Sequence, residues 1–448
     1  MRHTGPHPAR RMNPVTGPNP TPPPLTRRRR GVVLLAAFLA WMFAGLEISL
    51  FILIHRQMAL ELLGPGTPEA VVTRWFAWYQ AAFLFGAAAG GWLFGWLGDR
   101  LGRARAMGAS VLCYSLFTLA CYLADSAGVM LVLRFLACLG IGGVWPNAVA
   151  LVAEAWPNAS RPLLSGLLGA AANVGFVLLG VVGYYFPITN EAWRWVLLVA
   201  AVPGVVGVLI LFAVPESPRW LASRAAAPAG PAEGSPLRDV FRPPLLSRTV
   251  LGIALGAIPV VGSAANANWL VPWTDHAAER RARESGESVK KPDARGKART
   301  QITRSGGAVF GSLLGGVLAS LLGRRPSYFL ISLGALAASS YIFSQLDPLH
   351  PHFQAFAFVL GFVGITYFGW LPLFLPELFP TRVRATGTGI SFNTGRVVAA
   401  VVVLSAGVLL DQFSGDYARV GFWSGMVYAA GMVVIWFVPR RAAGKLED

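Results

Sequence analysis

The sequence predicts an all-α polytopic membrane protein with twelve transmembrane helices arranged in two six-helix halves. Of its 448 residues, 54% are hydrophobic and 13% are charged, about half the charged share of soluble domains. Apolar runs near the bilayer-spanning length of about 20 residues recur along the chain, and several motifs repeat at one offset. The net charge of +17 would suggest a nucleic-acid partner in a soluble protein, but these apolar runs argue against one.

The stretch before the first apolar run is rich in proline and ends in four arginines, Arg27 to Arg30. It offers little apolar surface, so we expect a disordered cytoplasmic tail over 1–30. A signal peptide has an apolar core of about 7 to 15 residues. The longer apolar run from Gly31 to Ile54 therefore predicts an uncleaved first helix.

Eleven further apolar runs predict the remaining spans. The N-terminal half covers 31–221, and a cytoplasmic loop over 222–248 connects it to a C-terminal half over 249–438. A charged loop over 275–302 follows the seventh span, and a short cytoplasmic tail covers 439–448. The predicted spans are 31–54, 75–97, 106–124, 128–152, 163–186, 192–214, 249–273, 303–322, 326–346, 352–376, 385–410 and 419–438.

The basic residues predict which side of the membrane each loop faces. With the N-terminus inside, the inner loops and tails hold 23 Lys and Arg, against four in the outer loops apart from 275–302, as the positive-inside rule requires. We expect a plasma (inner) membrane protein with both termini cytoplasmic. Nine basic residues from Arg280 to Arg304 break the pattern. Either this loop is a tolerated charged insertion, which we favour, or the seventh or eighth span is misplaced.

Three motifs recur at nearly one offset along the chain, in equivalent places relative to the spans. GWLGDRLGR at 95–103 returns as GVLASLLGR at 316–324, and EAWPNASR at 154–161 returns as ELFPTRVR at 377–384. Asn173 and Gly175 return as Asn393 and Gly395. Such repeats indicate two parallel halves, as in transporters that bind substrate at mid-membrane and rock between two states.

Features of an enzyme or a metal site are missing from the sequence. The three cysteines, Cys113, Cys121 and Cys138, fall inside predicted spans without metal-ligand spacing, so we expect packing roles for them. There is no paired-histidine motif, nucleophile motif or phosphate-cradling Gly-Lys-Ser or Gly-Lys-Thr. We therefore expect no enzyme activity, no cofactor and no metal.

The motifs resemble those of the major facilitator superfamily over nearly the whole chain. Residues 95–105 resemble its loop 2–3 signature, and PESPRWL at 215–221 resembles the sugar porters. WMFAGLE at 41–47 and PELFPTRVRATG at 376–387 are similar to the metabolite and aromatic-acid proton symporters and the synaptic vesicle protein 2 relatives. The chain departs from these patterns at Ala44 and Glu47, where the first-helix pattern usually carries two aspartates, and at Ser320, Leu321 and Pro162.

Only three charged residues fall deep inside the predicted spans, Glu47, Arg134 and Arg396. Charges in a bilayer core are costly and mark functional sites by default. Glu47 and Arg134 lie at the same predicted depth, about 10 Å below the outer surface. We expect them to form a proton-coupling pair, because a carboxylate that loses a guanidinium partner takes up a proton more readily. The alternative is a permanent structural ion pair.

Arg396 is a candidate for binding an organic anion, because a guanidinium can hold a carboxylate with two parallel hydrogen bonds. It could equally satisfy backbone carbonyls between the halves. Polar or aromatic residues near mid-span could line a substrate cavity, although helix packing is a competing explanation for each. These cavity candidates are Asn147, Asn266, Trp269, Tyr367 and Asn393, beside Arg396.

The resemblance implies that charged residues at the inner ends of the helices form gating networks, which hold the outward-facing state and release in the inward-facing one. The competing explanation is that these charges only fix topology, but acidic residues contribute little to topology. The gating candidates are Asp99, Arg103, Glu154, Arg161, Glu216, Arg219, Glu377 and Arg384.

The sequence thus predicts a monomeric secondary active transporter for a small polar metabolite, an organic acid or a sugar, working by alternating access. Its partners would be the bilayer, the substrate and protons. A passive uniporter and a non-transporting sensor on the same fold are the alternatives. A sensor would need a large soluble output domain, whereas the loop after Leu221 covers only 222–248.

Overall fold

The computed structural model of the chain is a bundle of twelve helices, each long and apolar enough to cross a membrane. The structure describes residues 25–156, 161–186, 193–225, 236–266, 294–412 and 416–438, together with 270, 273, 274 and 277. Each predicted span corresponds to one helix, so the twelve-helix prediction is confirmed. The described part of the chain contains no β-strand.

The helices of the N-terminal half are named α1 to α6 in chain order. The sixth is interrupted by a turn at Val202 and Pro203. Their bounds are Arg27–Leu63, Glu69–Leu101, Arg103–Cys121, Ala127–Ala155, Arg161–Tyr185 and, for the span with the turn, Trp195–Ala213.

The helices of the C-terminal half are named α7 to α12. The tenth breaks at Thr366 and ends in a 3-10 turn, and the twelfth breaks at Met426. Their bounds are Leu245–Ala265, Ala294–Leu321, Arg324–Gln345, Phe353–Leu378, Arg384–Gln412 and Ala418–Phe437. Two short helices, Pro218–Ala225 and Pro236–Asp239, lie between the halves.

Several helices extend past the predicted spans. α1 continues beyond Ile54 to Leu63 and begins at Arg27, so the four arginines at the end of the predicted tail are helical. α8 begins at Ala294, so the last part of segment 275–302 is helical as well. Hydropathy locates only the apolar part of a helix, whereas the backbone hydrogen-bonding pattern continues into polar residues beyond it. The rest of the predicted tail, 1–24, the loop stretch 278–293 and the tail 439–448 lie outside the described residues.

The two halves meet along two helix pairs, α2 with α11 and α5 with α8. Glycines bring these pairs into close contact, as small residues do in membrane bundles. A Cβ on Gly95 would lie 2.9 Å from the carbonyl oxygen of Ala385, and a Cβ on Gly316 would overlap the carbonyl oxygen of Pro162. These contacts mark one end of the bundle, here called the motif end, where the loops after α2, α4, α8 and α10 lie.

Candidate functional site

The motif end carries a buried cluster of four charged side chains, here called the latch cluster: Asp99, Arg103, Glu154 and Arg384. Arg103 lies between two carboxylates, with Nη2 2.9 Å from Asp99 Oδ1 and Nε 3.2 Å from Glu154 Oε2. Glu154 also accepts from Arg384, with Nη1 to Oε1 at 2.8 Å. All four side chains are fully buried.

This cluster joins the two halves directly. Asp99, at the end of α2, accepts the backbone N–H groups of Ala385 at 3.2 Å and Thr386 at 2.7 Å. These residues lie in the first turn of α11, where N–H groups have no partner within the helix and a negative charge is favoured by the helix dipole. Arg103 donates across the halves to the carbonyl oxygen of Thr381 at 2.6 Å.

A second group of contacts holds the loop after α6 against the start of α3. Glu216 accepts the backbone N–H groups of Arg103 at 2.8 Å and Ala104 at 3.1 Å. Burial raises the pKa of Glu216 above its ordinary value, while these backbone donors act in the opposite direction. Trp220 donates its indole N–H to the carbonyl oxygen of Asp99 at 2.9 Å. The connection between the halves is therefore anchored at the latch cluster.

The other gating candidates lie at the same end but make different contacts. Glu377 pairs with Arg324, with Nη2 to Oε1 at 2.7 Å. Arg324 is the repeat equivalent of Arg103, and Glu377 that of Glu154, so equivalent residues pair in the two halves. Arg161 is buried, and its Nε and Nη2 find no acceptor among the described residues. The positive charge of Arg219 lies close enough to Arg161 and Arg384 to repel both.

Deep in the bundle, Glu47 and Arg134 form the expected ion pair. Arg134 Nη1 lies 2.9 Å from Glu47 Oε1, and both side chains are fully buried. Thr118 donates its hydroxyl to the same carboxylate oxygen at 2.9 Å, whereas Glu47 Oε2 has no donor among the described residues. The Arg134 guanidinium also stacks over the ring of Phe51, 3.9 Å from its centroid. The pair thus lies in a dry environment that would make breaking it costly.

Arg396 lies on α11 against aromatic rings, and no carboxylate of the described residues forms an ion pair with it. Its guanidinium carbon is 5.5 Å from the ring centroid of Phe83 and 5.3 Å from that of Phe392. It is 5% exposed, and its Nη1 has no acceptor among the described residues. Phe83 is half-buried, and its centroid is 5.7 Å from the guanidinium of Arg134. This ring therefore lies between the buried ion pair and Arg396.

Trp145 extends this group toward the motif end. Its ring stacks on Phe392 with centroids 4.0 Å apart and an interplanar angle of 21°. The indole N–H of Trp145 has no acceptor among the described residues. Buried donors without partners are rare in folded proteins and call for an explanation. Arg396 and Trp145 thus both lie against the ring of Phe392, and each has a buried N–H group without an acceptor among the described residues.

The other cavity candidates are occupied by contacts within the protein. Asn147 donates to the carbonyl oxygens of Phe94 and Gly143, both at 2.9 Å. Asn393 donates to that of Gly389 at 3.0 Å. The remaining two described candidates make contacts within the C-terminal half, and Trp269 lies outside the described residues. Asn266 donates to Ser339 at 2.8 Å and to the carbonyl oxygen of Gly421 at 2.6 Å, and Tyr367 donates to Ser332 at 2.7 Å.

Another buried charged residue of the described helices is Arg304, which lies at the edge of the predicted span 303–322 and was counted with the charged loop before it. Arg304 is 5% exposed and lies in the third turn of α8, which begins at Ala294. The basic residues before it gave this stretch the appearance of a loop. The internal repeat was a signal that could have located it, since Phe83 and Arg304 are separated by the same offset as Gly95 and Gly316.

Comparison with known proteins places this geometry in context. A model of the family described as "Sugar (and other) transporter" matches residues 37–232 and 308–448. The cis,cis-muconate transport protein of Acinetobacter baylyi is 28% identical over 420 residues, 92% of this chain and 94% of its own. A probable 4-methylmuconolactone transporter of Cupriavidus pinatubonensis is 29% identical over 367 residues, 81% of each chain.

Solved structures share the fold. The proton:xylose symporter XylE from E. coli, a major facilitator superfamily protein, superposes with a TM-score of 0.70 at 18% identity, covering 93% of this chain and 97% of its own. Such a likeness establishes the architecture, and the match spans both halves. The architecture predicted from the repeat is therefore confirmed.

Proposed function

The chain belongs to the sugar (and other) transporter family, and from this premise we propose that it carries an organic anion with a flat, unsaturated frame by alternating access. The family and the relatives are transporters and not enzymes. The two relatives described above are named as transporters of cis,cis-muconate and 4-methylmuconolactone. Arg396 favours an organic anion over a sugar. Its buried guanidinium lies against aromatic rings, and its Nη1 has no acceptor among the described residues.

In the proposed cycle the anion binds Arg396 through paired hydrogen bonds while its flat frame packs on Phe83 and Phe392. Trp145 and Phe392 form the floor of this site on the side of the latch cluster. With Asp99 and Arg103 joined to the C-terminal half, the motif end is closed, so the substrate would enter from the opposite end. We assign the motif end to the cytoplasm from the basic residues of its loops.

Proton coupling is the second part of the proposal. Glu47 is the acidic group of the buried ion pair, and its remaining interactions involve Thr118 and the side chains of Tyr114 and Cys121 nearby. Cys138 also lies within electrostatic range of both members of the pair. If Arg134 withdraws during the transport cycle, Glu47 would be left unpaired in a dry site and would bind a proton.

The test of anion transport uses purified protein in proteoliposomes, with cis,cis-muconate and xylose as probes. We expect muconate uptake and no xylose uptake. Arg396→Gln should lower muconate uptake at least tenfold, and Arg396→Lys should retain part of it because the charge remains. Uptake of xylose alone, or unchanged muconate uptake in Arg396→Gln, would reject the anion site.

The test of coupling compares accumulation driven by a pH gradient with exchange of labelled for unlabelled muconate. Glu47→Gln should abolish gradient-driven accumulation and spare exchange, because exchange requires no net proton movement. Thr118→Val is the matched control, since it removes one hydrogen bond to Glu47 and keeps the ion pair. A wild-type protein that equilibrates muconate without responding to the gradient would instead be a passive uniporter.

A further inference from the structure

Away from the latch cluster, the buried charged residues of the described spanning helices lie in one layer. Along α2, Phe83 is twelve residues from the close contact at Gly95, and along α8, Arg304 is twelve residues from the one at Gly316. Along α11, Arg396 is eleven residues from the contact at Ala385. At about 1.5 Å per residue, all three lie about 16 to 18 Å from that level. Arg134 contacts the ring of Phe83, so the Glu47–Arg134 pair shares the layer.

The charges within this layer do not balance. Glu47 neutralises Arg134, but neither Arg304 nor Arg396 forms an ion pair with any carboxylate of the described residues. Arg304 Nε and Arg396 Nη1 are buried without acceptors there. An unpaired guanidinium in a bilayer core is unfavourable even on permissive scales, and the described part of this layer holds two.

Arg304 belongs to a polar stripe along the buried side of α8. Gln301 and Ser305 accompany it, and the Nε2 of Gln301 and the Oγ of Ser305 also lack partners among the described residues. The opposite side of α8 carries Phe310, which is 60% exposed, as a membrane-facing residue would be. Because residues three and four apart share a helix face, the stripe faces the interior of the protein.

The surroundings of Arg304 include a hydroxyl group from α12. The side chain lies within electrostatic range of the Tyr428 hydroxyl group. A Cβ on Gly262 would lie 2.6 Å from that hydroxyl oxygen, and one on Gly364 would lie 3.6 Å from it. At Gly262 and Gly364, α7 and α10 therefore present only backbone to the Tyr428 hydroxyl group. A glycine has no side chain, so these two positions contribute no carboxylate near Arg304.

Arg304 and Arg396 lie on different sides of the C-terminal half. Arg304 is on α8, which packs on α5, and Arg396 is on α11, which packs on α2. We propose that Arg304 is a second anion-binding residue of the substrate site, so that the preferred substrate is a dicarboxylate whose two ends bind Arg396 and Arg304. This inference rests on the proposed anion transport and adds the requirement for a second carboxylate.

The test uses two probes that differ in one group. trans,trans-Muconate and sorbate share a six-carbon diene, and sorbate has a methyl group where muconate has its second carboxylate. Binding of both to the purified full-length protein is measured at pH 7 by competition and by thermal shift. The wild type should prefer muconate over sorbate by at least tenfold.

The variants then separate the two arginines. Arg304→Gln should reduce the preference for muconate at least tenfold, whereas Arg304→Lys should keep part of it. Arg396→Gln should weaken the binding of both probes. Size-exclusion profiles and unfolding temperatures verify that each variant folds. If Arg304→Gln does not fold, the wild-type comparison alone decides, because equal affinity for the two probes would overturn the proposal.

Two failures can be told apart. If Arg396→Gln weakens both probes but Arg304→Gln leaves the preference intact, or lowers both affinities by the same factor, the second anion-binding residue is rejected and anion transport stands. If the wild type binds neither probe, this inference is rejected, and the uptake of cis,cis-muconate decides the proposed function separately.

Discussion

The two helix pairs that join the halves are related by the internal repeat, yet they are built differently at the motif end. Where α2 meets α11, the buried carboxylate of Asp99 accepts the N–H groups of Ala385 and Thr386. Where α8 meets α5, the equivalent position holds Ser320, which is exposed. The residue equivalent to Ala385 is Pro162, which has no N–H to donate.

The carboxylate and one of the two backbone N–H groups are therefore missing from the second contact, whereas Leu163, the equivalent of Thr386, keeps its N–H group. The α2–α11 contact is held by charge and hydrogen bonds in addition to close glycine packing. The α5–α8 contact relies on close packing, with Gly316 against the backbone of Pro162. We infer that opening the motif end breaks charged contacts on the α2–α11 side, whereas on the α5 side the Ser165 hydroxyl donates a neutral hydrogen bond to the carbonyl oxygen of Gly369. The other side can then separate or pivot at lower cost.

The largest effect should come from removing Glu154, which accepts from Arg103, Arg384 and Ser217. Glu154→Gln leaves two buried guanidinium groups facing a neutral amide, and losing one partner of a buried pair costs about 3 to 5 kcal/mol. The unfolding temperature in detergent should fall by several degrees. The matched control is Glu377→Gln, where the Arg324 side chain is 12% exposed and a loss of about 1 to 2 kcal/mol is expected. Equal losses would contradict the asymmetry.

An intermediate effect is expected when the charge that joins α2 to α11 is removed. Asp99→Asn keeps the shape but weakens the bonds to Arg103 and to the first turn of α11. The state in which the motif end is closed becomes less populated, and every transport cycle must pass through it. Turnover should therefore fall about tenfold, which corresponds to about 1.4 kcal/mol in activation free energy. Initial rates of uptake at several substrate concentrations separate turnover from affinity. The matched control is Ser320→Asn, at the equivalent position, which should change neither turnover nor affinity. Equal losses of turnover and affinity in Asp99→Asn would argue against a gating role.

The smallest effect should come from building the missing contact into the second helix pair. The double variant Ser320→Asp with Pro162→Ala supplies both the carboxylate and the N–H group, and a helix cap of this kind contributes about 0.5 to 2 kcal/mol. The motif end should open more rarely, which slower labelling of a cysteine introduced there would detect. Pro162→Ala alone supplies no carboxylate and should have little effect, whereas Ser320→Asp alone can accept from the N–H group of Leu163 and should have a smaller effect than the double variant. A single variant as effective as the double would show that the equivalence fails.

Sequence reasoning located the spans, the repeat and the Glu47–Arg134 pair, because hydropathy, motif spacing and depth along a helix are properties of the chain alone. It grouped Asp99, Arg103, Glu154 and Arg384 through motif resemblance. It could not foresee that Glu377 pairs with Arg324, because that contact depends on how two loops meet. It counted Arg304 with the charged loop and not with the buried interior, because the basic residues before it concealed a helix that continues past its apolar part.

The contacts of Glu216 and Asp99 also have a consequence for the order in which the protein is made. Glu216 bonds to Arg103, only 113 residues earlier, so a nascent chain that has released its first six helices already holds both partners. Asp99 must wait for Ala385, 286 residues later, and Glu154 for Arg384, 230 residues later. During translation the first half can fold as a self-contained unit, with the acidic groups that will dock the second half still awaiting their partners.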